Sequence, residues 1–221
     1  MKLVEAGTFL MGITNSEWYP VHSVTITKDY YMGEAEVTQA LWEAVTGYSP
    51  TADVDKMWSD EYGLGDDYPA YNIRYEDVQS FIVKLNRLTG EKFRMPTEAE
   101  WEYAARGGKK SKGYTYSGSD TVGEVAWYDG NSSSKTHIVM TMAANELGIY
   151  DMSGNVWEWC SDWFDYFDSS AQTDPAGPTT GKERVIRGGG WNNVAVYCDC
   201  DSRHDESPTS SWASLGFRLA L

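Results

Sequence analysis

Apolar and polar residues alternate with period two in His22-Ser23-Val24-Thr25-Ile26-Thr27, which predicts a half-buried strand, and the β-formers Tyr30-Tyr31-Met32 predict another. The period then changes. Leu41, Trp42 and Val45 share a helical face between Thr38, a capping residue type, and Gly47, which suits a helix end, so a helix is expected over about 37–46. Val78, Phe81, Ile82, Leu85 and Leu88 repeat at helical spacing, with Asp77 as expected cap and Gly90 just past the end. Thr97-Glu98-Ala99-Glu100 is a capping box that opens a short helix through Trp101, Tyr103 and Ala104. Residues 48–69 carry Gly, Pro and Asp without a period and read as an irregular surface excursion. Beyond Tyr114 helical periodicity disappears. Short apolar patches such as Arg184-Val185-Ile186-Arg187 predict strands among loops, and Trp157 and Trp159 would share one buried side of an extended segment.

This mixture predicts an α+β fold, loop-rich with two main helices, forming a single domain over 1–221. Hydrophobic residues make up 41% and aromatic residues 14%, including 10 Trp and 15 Tyr, so apolar area suffices for a core. The formal net charge of -15 repels phosphate backbones and anionic headgroups. Nucleic acid and membrane insertion are therefore not expected of this domain. Cys160, Cys198 and Cys200 are too few for a disulfide scaffold and lack structural-zinc spacing. Met1-Lys2-Leu3 leads directly into folding sequence, which leaves a cytosolic protein or one whose export segment lies outside this sequence.

Five phrases in order carry a resemblance: Gly7-Thr8-Phe9-Leu10-Met11-Gly12; Glu36-Val37-Thr38-Gln39; Phe93-Arg94-Met95-Pro96-Thr97-Glu98-Ala99-Glu100-Trp101-Glu102-Tyr103 and onward; Gly148-Ile149-Tyr150-Asp151-Met152-Ser153-Gly154-Asn155-Val156-Trp157-Glu158-Trp159; and Arg187-Gly188-Gly189-Gly190-Trp191 with Leu215-Gly216-Phe217-Arg218-Leu219. Together they resemble the formylglycine-generating, sulfatase-modifying-factor family, which implies a C-type-lectin-like fold whose N- and C-terminal segments pair. The resemblance also implies a structural calcium at Asp151, Gly154, Val156 and Glu158. The bland alternative is that Asp151 and Glu158 brace the loop through backbone hydrogen bonds. No other cofactor is required.

The family's enzymes are copper-dependent formylglycine-generating oxidases that use two cysteines separated by four residues; here Cys200 matches the second, whereas Ala195 stands at the first. Cys198 does not replace it, because residues i and i+2 of a strand lie about 6.5–7 Å apart with parallel side chains. His22, His137 and His204 are too scattered to suggest a metal centre. The C-terminal part is instead similar to the variable proteins of diversity-generating retroelements, the treponemal group among them, with 187–221 as the variable segment. That resemblance implies ligand binding rather than catalysis, display outside the cell on a surface through an export signal or lipid anchor absent from this chain, and an unknown protein or glycan as partner. It also brings Cys160 and Cys198 together, where they are expected to be bridged. Adenine-directed variation of AAC-type codons does not produce Glu206 or Trp212, which are departures from that pattern.

The expected binding face is Val194, Val196, Tyr197, Asp199, Cys200, Asp201, Ser202, His204, Asp205, Glu206, Ser207, Thr209, Ser210, Trp212, Ala213 and Ser214. Tyr197 and Trp212 would be rigid anchors, and the Asp, Ser, Thr and His residues adaptable polar contacts. Asp199, Asp201, Asp205 and Glu206 would favour basic or polyhydroxyl ligands. The competing reading is an ordinary polar loop with a packed Tyr and Trp.

Overall fold

A computed structural model describes residues 1–48 and 58–221. Its N-terminal strands are β1 (Lys2–Val4), β2 (Gly7–Met11), β3 (His22–Ile26) and β4 (Tyr30–Met32). The expected alternation holds in β3: Val24 and Ile26 are buried, and Ser23 and Thr25 are half-buried. Helix α1 (Gln39–Thr46) begins at Thr38, whose hydroxyl accepts from Leu41 N at 3.3 Å, and ends at a left-handed Gly47. Trp42 is its buried anchor, whereas Leu41 is exposed.

Helix α2 (Tyr75–Thr89) starts two residues before the expected cap. Asp77 thus lies inside the first turn and reaches back to Arg74 N at 3.3 Å. Val78, Phe81, Ile82 and Leu85 face the core, but Leu88 is exposed because the helix outruns the layer it covers. Helix α3 (Glu98–Ala105) carries the predicted capping box: Thr97 Oγ1 accepts from Glu100 N at 3.2 Å, and Glu100 Oε2 accepts from Thr97 N at 2.9 Å. Of the expected surface excursion, residues 49–57 lie outside the described residues. The described remainder is irregular, yet Trp58 is buried and donates to Tyr71 O at 2.9 Å.

After a short helix α4 (Val122–Val125), strand β5 (Trp157–Trp163) becomes the centre of a four-stranded sheet. Its partners are β7 (Arg184–Arg187) and β9 (Leu215–Gly216), β8 (Arg203–Glu206) flanks β7, and β6 (Gln172–Thr173) extends the β2–β3 sheet instead. The period of two sorts β5: Trp157, Trp159 and, across from it, Ile186 join the core beneath α1 and α2, whereas Cys160 and Val185 join a second core with Trp101 and Tyr103 of α3. The chain ends meet. Tyr31 and Leu221 exchange both backbone hydrogen bonds at 2.9 Å, and Gly33 N donates to Leu219 O at 2.7 Å.

The expected bridge is corrected: Cys160, Cys198 and Cys200 are all free. Cys160 faces the core under α3, while Cys198 ends a short 3-10 turn (Ala195–Cys198) with its sulfur against Gly189.

Candidate functional site

The segment after β7 is largely irregular between β8 and β9, yet its backbone is tied down, mostly by groups outside it. Arg187 donates to the carbonyls of Ser202 and, at 3.2 Å, Cys200, and is paired with Glu102. Ser153 Oγ holds Cys198 O at 2.7 Å, and Trp191 Nε1 holds Ala213 O at 3.0 Å. Main-chain N–H groups of Asn72 and Trp157 bind Trp212 O and Ser214 O at 3.1 and 2.8 Å, while Thr115 O accepts from Cys200 N at 2.9 Å. Gly189 is required for this path, since it has φ +73° and a Cβ there would lie 2.7 Å from Tyr197 O. These bonds address main-chain atoms of the segment, so side chains within it can change while its path stays fixed.

Between β8 and the returning chain lies an open cavity of about 690 Å³. Of the expected binding face, Tyr197, His204, Glu206, Trp212, Ala213 and Ser214 line it, together with Tyr62, Asn72, Trp157, Ile186, Trp191, Asn192 and Asn193, which sequence reasoning had not assigned to a site. Tyr62 stacks on Trp191 at 5.8 Å, and Trp157 meets the edges of Tyr197 and His204 at 6.3 and 5.9 Å. Trp157 Nε1 donates to Asn193 Oδ1 at 2.8 Å, which fixes the indole as a wall.

Val194 and Val196 are exposed beside the mouth, at 50% and 60%. Asp199, Asp201, Ser202, Asp205, Ser207, Thr209 and Ser210 are accessible in part but lie outside the cavity lining. Cys200, at 1%, does not belong to an exposed face: its side chain packs in the core with Val185, because Arg187 pulls its carbonyl inward. Ser214 is likewise corrected from exposed to buried, at 2%, since it immediately precedes β9. Burial pushes the Cys198 and Cys200 thiols up to about 12, so neither supplies a thiolate at neutral pH. Burial, then the neighbouring Asp201, raises Asp199 to about 6.

Of the four residues expected to hold calcium, Glu158 and Asp151 have carboxylate oxygens already engaged within the protein. Glu158 Oε1 and Oε2 each accept from Arg218 at 2.6 Å, and Oε2 also accepts from Trp101 Nε1 at 2.6 Å. A guanidinium thus stands where a cation would face that carboxylate. Asp151 binds Met140 N at 2.8 Å, and Val156 N donates to Glu36 at 3.0 Å. Among the described residues no three His, Cys, Asp or Glu side chains form a metal-holding group, and no helix is long and apolar enough to cross a membrane.

An α+β lectin-like scaffold with an aromatic cavity on its C-terminal segment defines the class. The family model described as the sulfatase-modifying factor enzyme 1-like domain matches residues 1–221, and the chain belongs to this family. It is 36% identical over 232 residues to the chaperone protein LppX of Paenibacillus barcinonensis, covering 86% of this chain and 78% of that one. With the formylglycine-generating enzyme of Streptomyces coelicolor it shares 31% over 278 residues, covering 97% and 86%. In structure it resembles Treponema denticola variable protein 1, with TM-score 0.89, 32% identity and coverage of 100% and 94%.

Proposed function

We propose that the chain is a receptor-type variable protein that presents a diversified binding face on a lectin-like scaffold. The observation that carries this reading is the pairing of an open aromatic cavity with a segment held through its main chain by residues outside it, Ser153, Asn72 and Trp157 among them. Similarity to the treponemal variable protein along the whole chain supports it. The same reading makes the domain one displayed outside the cell, with a protein or glycan partner, and neither nucleic acid nor inserted membrane as ligand; the charge of -15 favours that exclusion.

The test is a library of this chain with Val194, Val196, Tyr197, Asp201 and His204 randomised, selected against lysozyme as target protein. We expect folded binders whose melting temperatures stay near that of the parent. Absence of binders, or binders that no longer fold, overturns the reading.

Identity to formylglycine-generating enzymes favours a second reading, a copper-dependent oxidase. Ala195 at the first cysteine position and a buried, protonated Cys200 count against it. Incubating the purified chain with copper, dioxygen, a thiol reductant and a sulfatase-type cysteine peptide separates the two: only the oxidase yields formylglycine.

A further inference from the structure

We propose that the cavity receives a basic side chain, a guanidinium or alkylammonium, from a partner polypeptide; this rests on the reading of the C-terminal segment as a binding face. Five aromatic residues line it: Tyr62, Trp157, Trp191, Tyr197 and Trp212. The indole N–H groups of Trp157 and Trp191 are committed to Asn193 Oδ1 and Ala213 O and both rings are buried, Trp191 beneath Tyr62, so the electron-rich surface open to a ligand is that of Tyr62, Tyr197 and Trp212. Such faces attract a cation, and guanidinium, weakly hydrated and planar, is the cation that gives up water most readily to stack on them.

Charge points the same way. Among the described lining residues no Lys or Arg occurs, His204 is the one basic side chain, and Glu206 is the one carboxylate. Glu206 uses Oε1 to accept from Ser207 N at 2.9 Å, which orients the group and leaves other lone pairs for a ligand donor. At the lining residue Tyr62 the neighbouring Glu61 carboxylate raises the phenol above its ordinary range, which adds negative charge beside the cavity. Of the amides that line the cavity, Asn193 already accepts at Oδ1 from both Gly190 N and Trp157 Nε1, so its oxygen is spent for a neutral sugar. The polypeptide source follows from the rim: Val194 and Val196 expose apolar surface on the turn that carries Tyr197, which a partner backbone would cover and a free small cation would leave wet.

The experiment is calorimetric titration of the full chain with a Gly-Arg repeat peptide, its citrulline counterpart, N-acetylarginine amide and a neutral chito-oligosaccharide. The arginine peptide should bind, the citrulline peptide about tenfold or more weaker, and Glu206→Gln should weaken the arginine peptide about tenfold without changing the melting temperature. Equal affinity for the two peptides, or no binding of the arginine peptide, overturns the inference. N-acetylarginine amide binding as tightly as the peptide reassigns the site to a free cation and overturns the polypeptide partner. Saccharide binding that is lost in Tyr197→Ala and Trp212→Ala, with none to arginine, sinks the cation and leaves the binding face standing; failure of the library selection sinks the face itself.

Discussion

Asp162 sits where β5 passes the start of α3, and its Oδ2 accepts from Glu98 N and Ser161 Oγ, each at 3.0 Å. Burial, then the nearby Glu98 carboxylate, raises its pKa from 3.8 to about 7. The folded chain therefore holds this proton more tightly than the unfolded chain. Below about pH 4 both states are protonated and nothing is lost; stability falls as pH rises towards 7, above which the cost is complete. Asp162→Asn keeps an acceptor for Glu98 N and removes the titration. In urea unfolding at pH 4.5 and 8, the variant should lose less stability between the two values than the parent; identical losses would disprove the assignment. Nothing in the sequence marked Asp162, because its perturbation arises from burial in the folded chain and then from Glu98, 64 positions away. Tyr62 and Trp157 escaped assignment to the site for a related reason: the first lies in a stretch without period, and the second had already been placed by its alternation in the core.

At the level of elements, legibility followed the range of the forces involved. Helices α1 and α3 were readable because Thr38, Gly47, Thr97 and Glu100 act within one turn of chain. The β8–β7–β5–β9 order was not, since it joins Glu158 to Arg187 and to Gly216 across long separations that no local period encodes. Arg187 shows what such an element does for the site. Its side chain, fully buried in β7, pairs with Glu102 and holds two carbonyls of the segment that follows. Arg187→Ala leaves Glu102 with Arg106 as its counter-charge but takes the guanidinium from Ser202 O and Cys200 O, and should cost about 2–4 kcal/mol. Replacing the exposed Val194, Val196 and His204 each by Ser should cost only about 0.5 kcal/mol apiece. Chemical denaturation of these four variants checks the contrast, and comparable losses would mean that the segment holds its own shape.

Across the whole molecule, Arg218 joins parts that are distant in sequence. It donates to Gly33 O and Tyr150 O at 3.0 Å each and to both oxygens of Glu158, tying the N-terminal strands, the 148–158 loop and β9 together. The five phrases made this scaffold readable as a family fold, but they did not reveal which positive charge would face Glu158. Calcium and Arg218 compete for that role. A bound calcium at a hundred times its dissociation constant would add about 2.7 kcal/mol, or roughly 5–10 °C of melting temperature for a domain of this size. With the guanidinium already against the carboxylate, we expect no such rise on adding millimolar calcium and no fall on adding chelator. Arg218→Met should by contrast lose about 3–5 kcal/mol, because it leaves Glu158 buried without a counter-charge, beside a Glu36 whose carboxyl burial already holds well above its ordinary range. Calorimetry of the parent chain with calcium and with chelator decides the matter: a shift of several degrees would restore the ion to Asp151 and Glu158, and coincident curves would leave Arg218 as the cation that closes the fold.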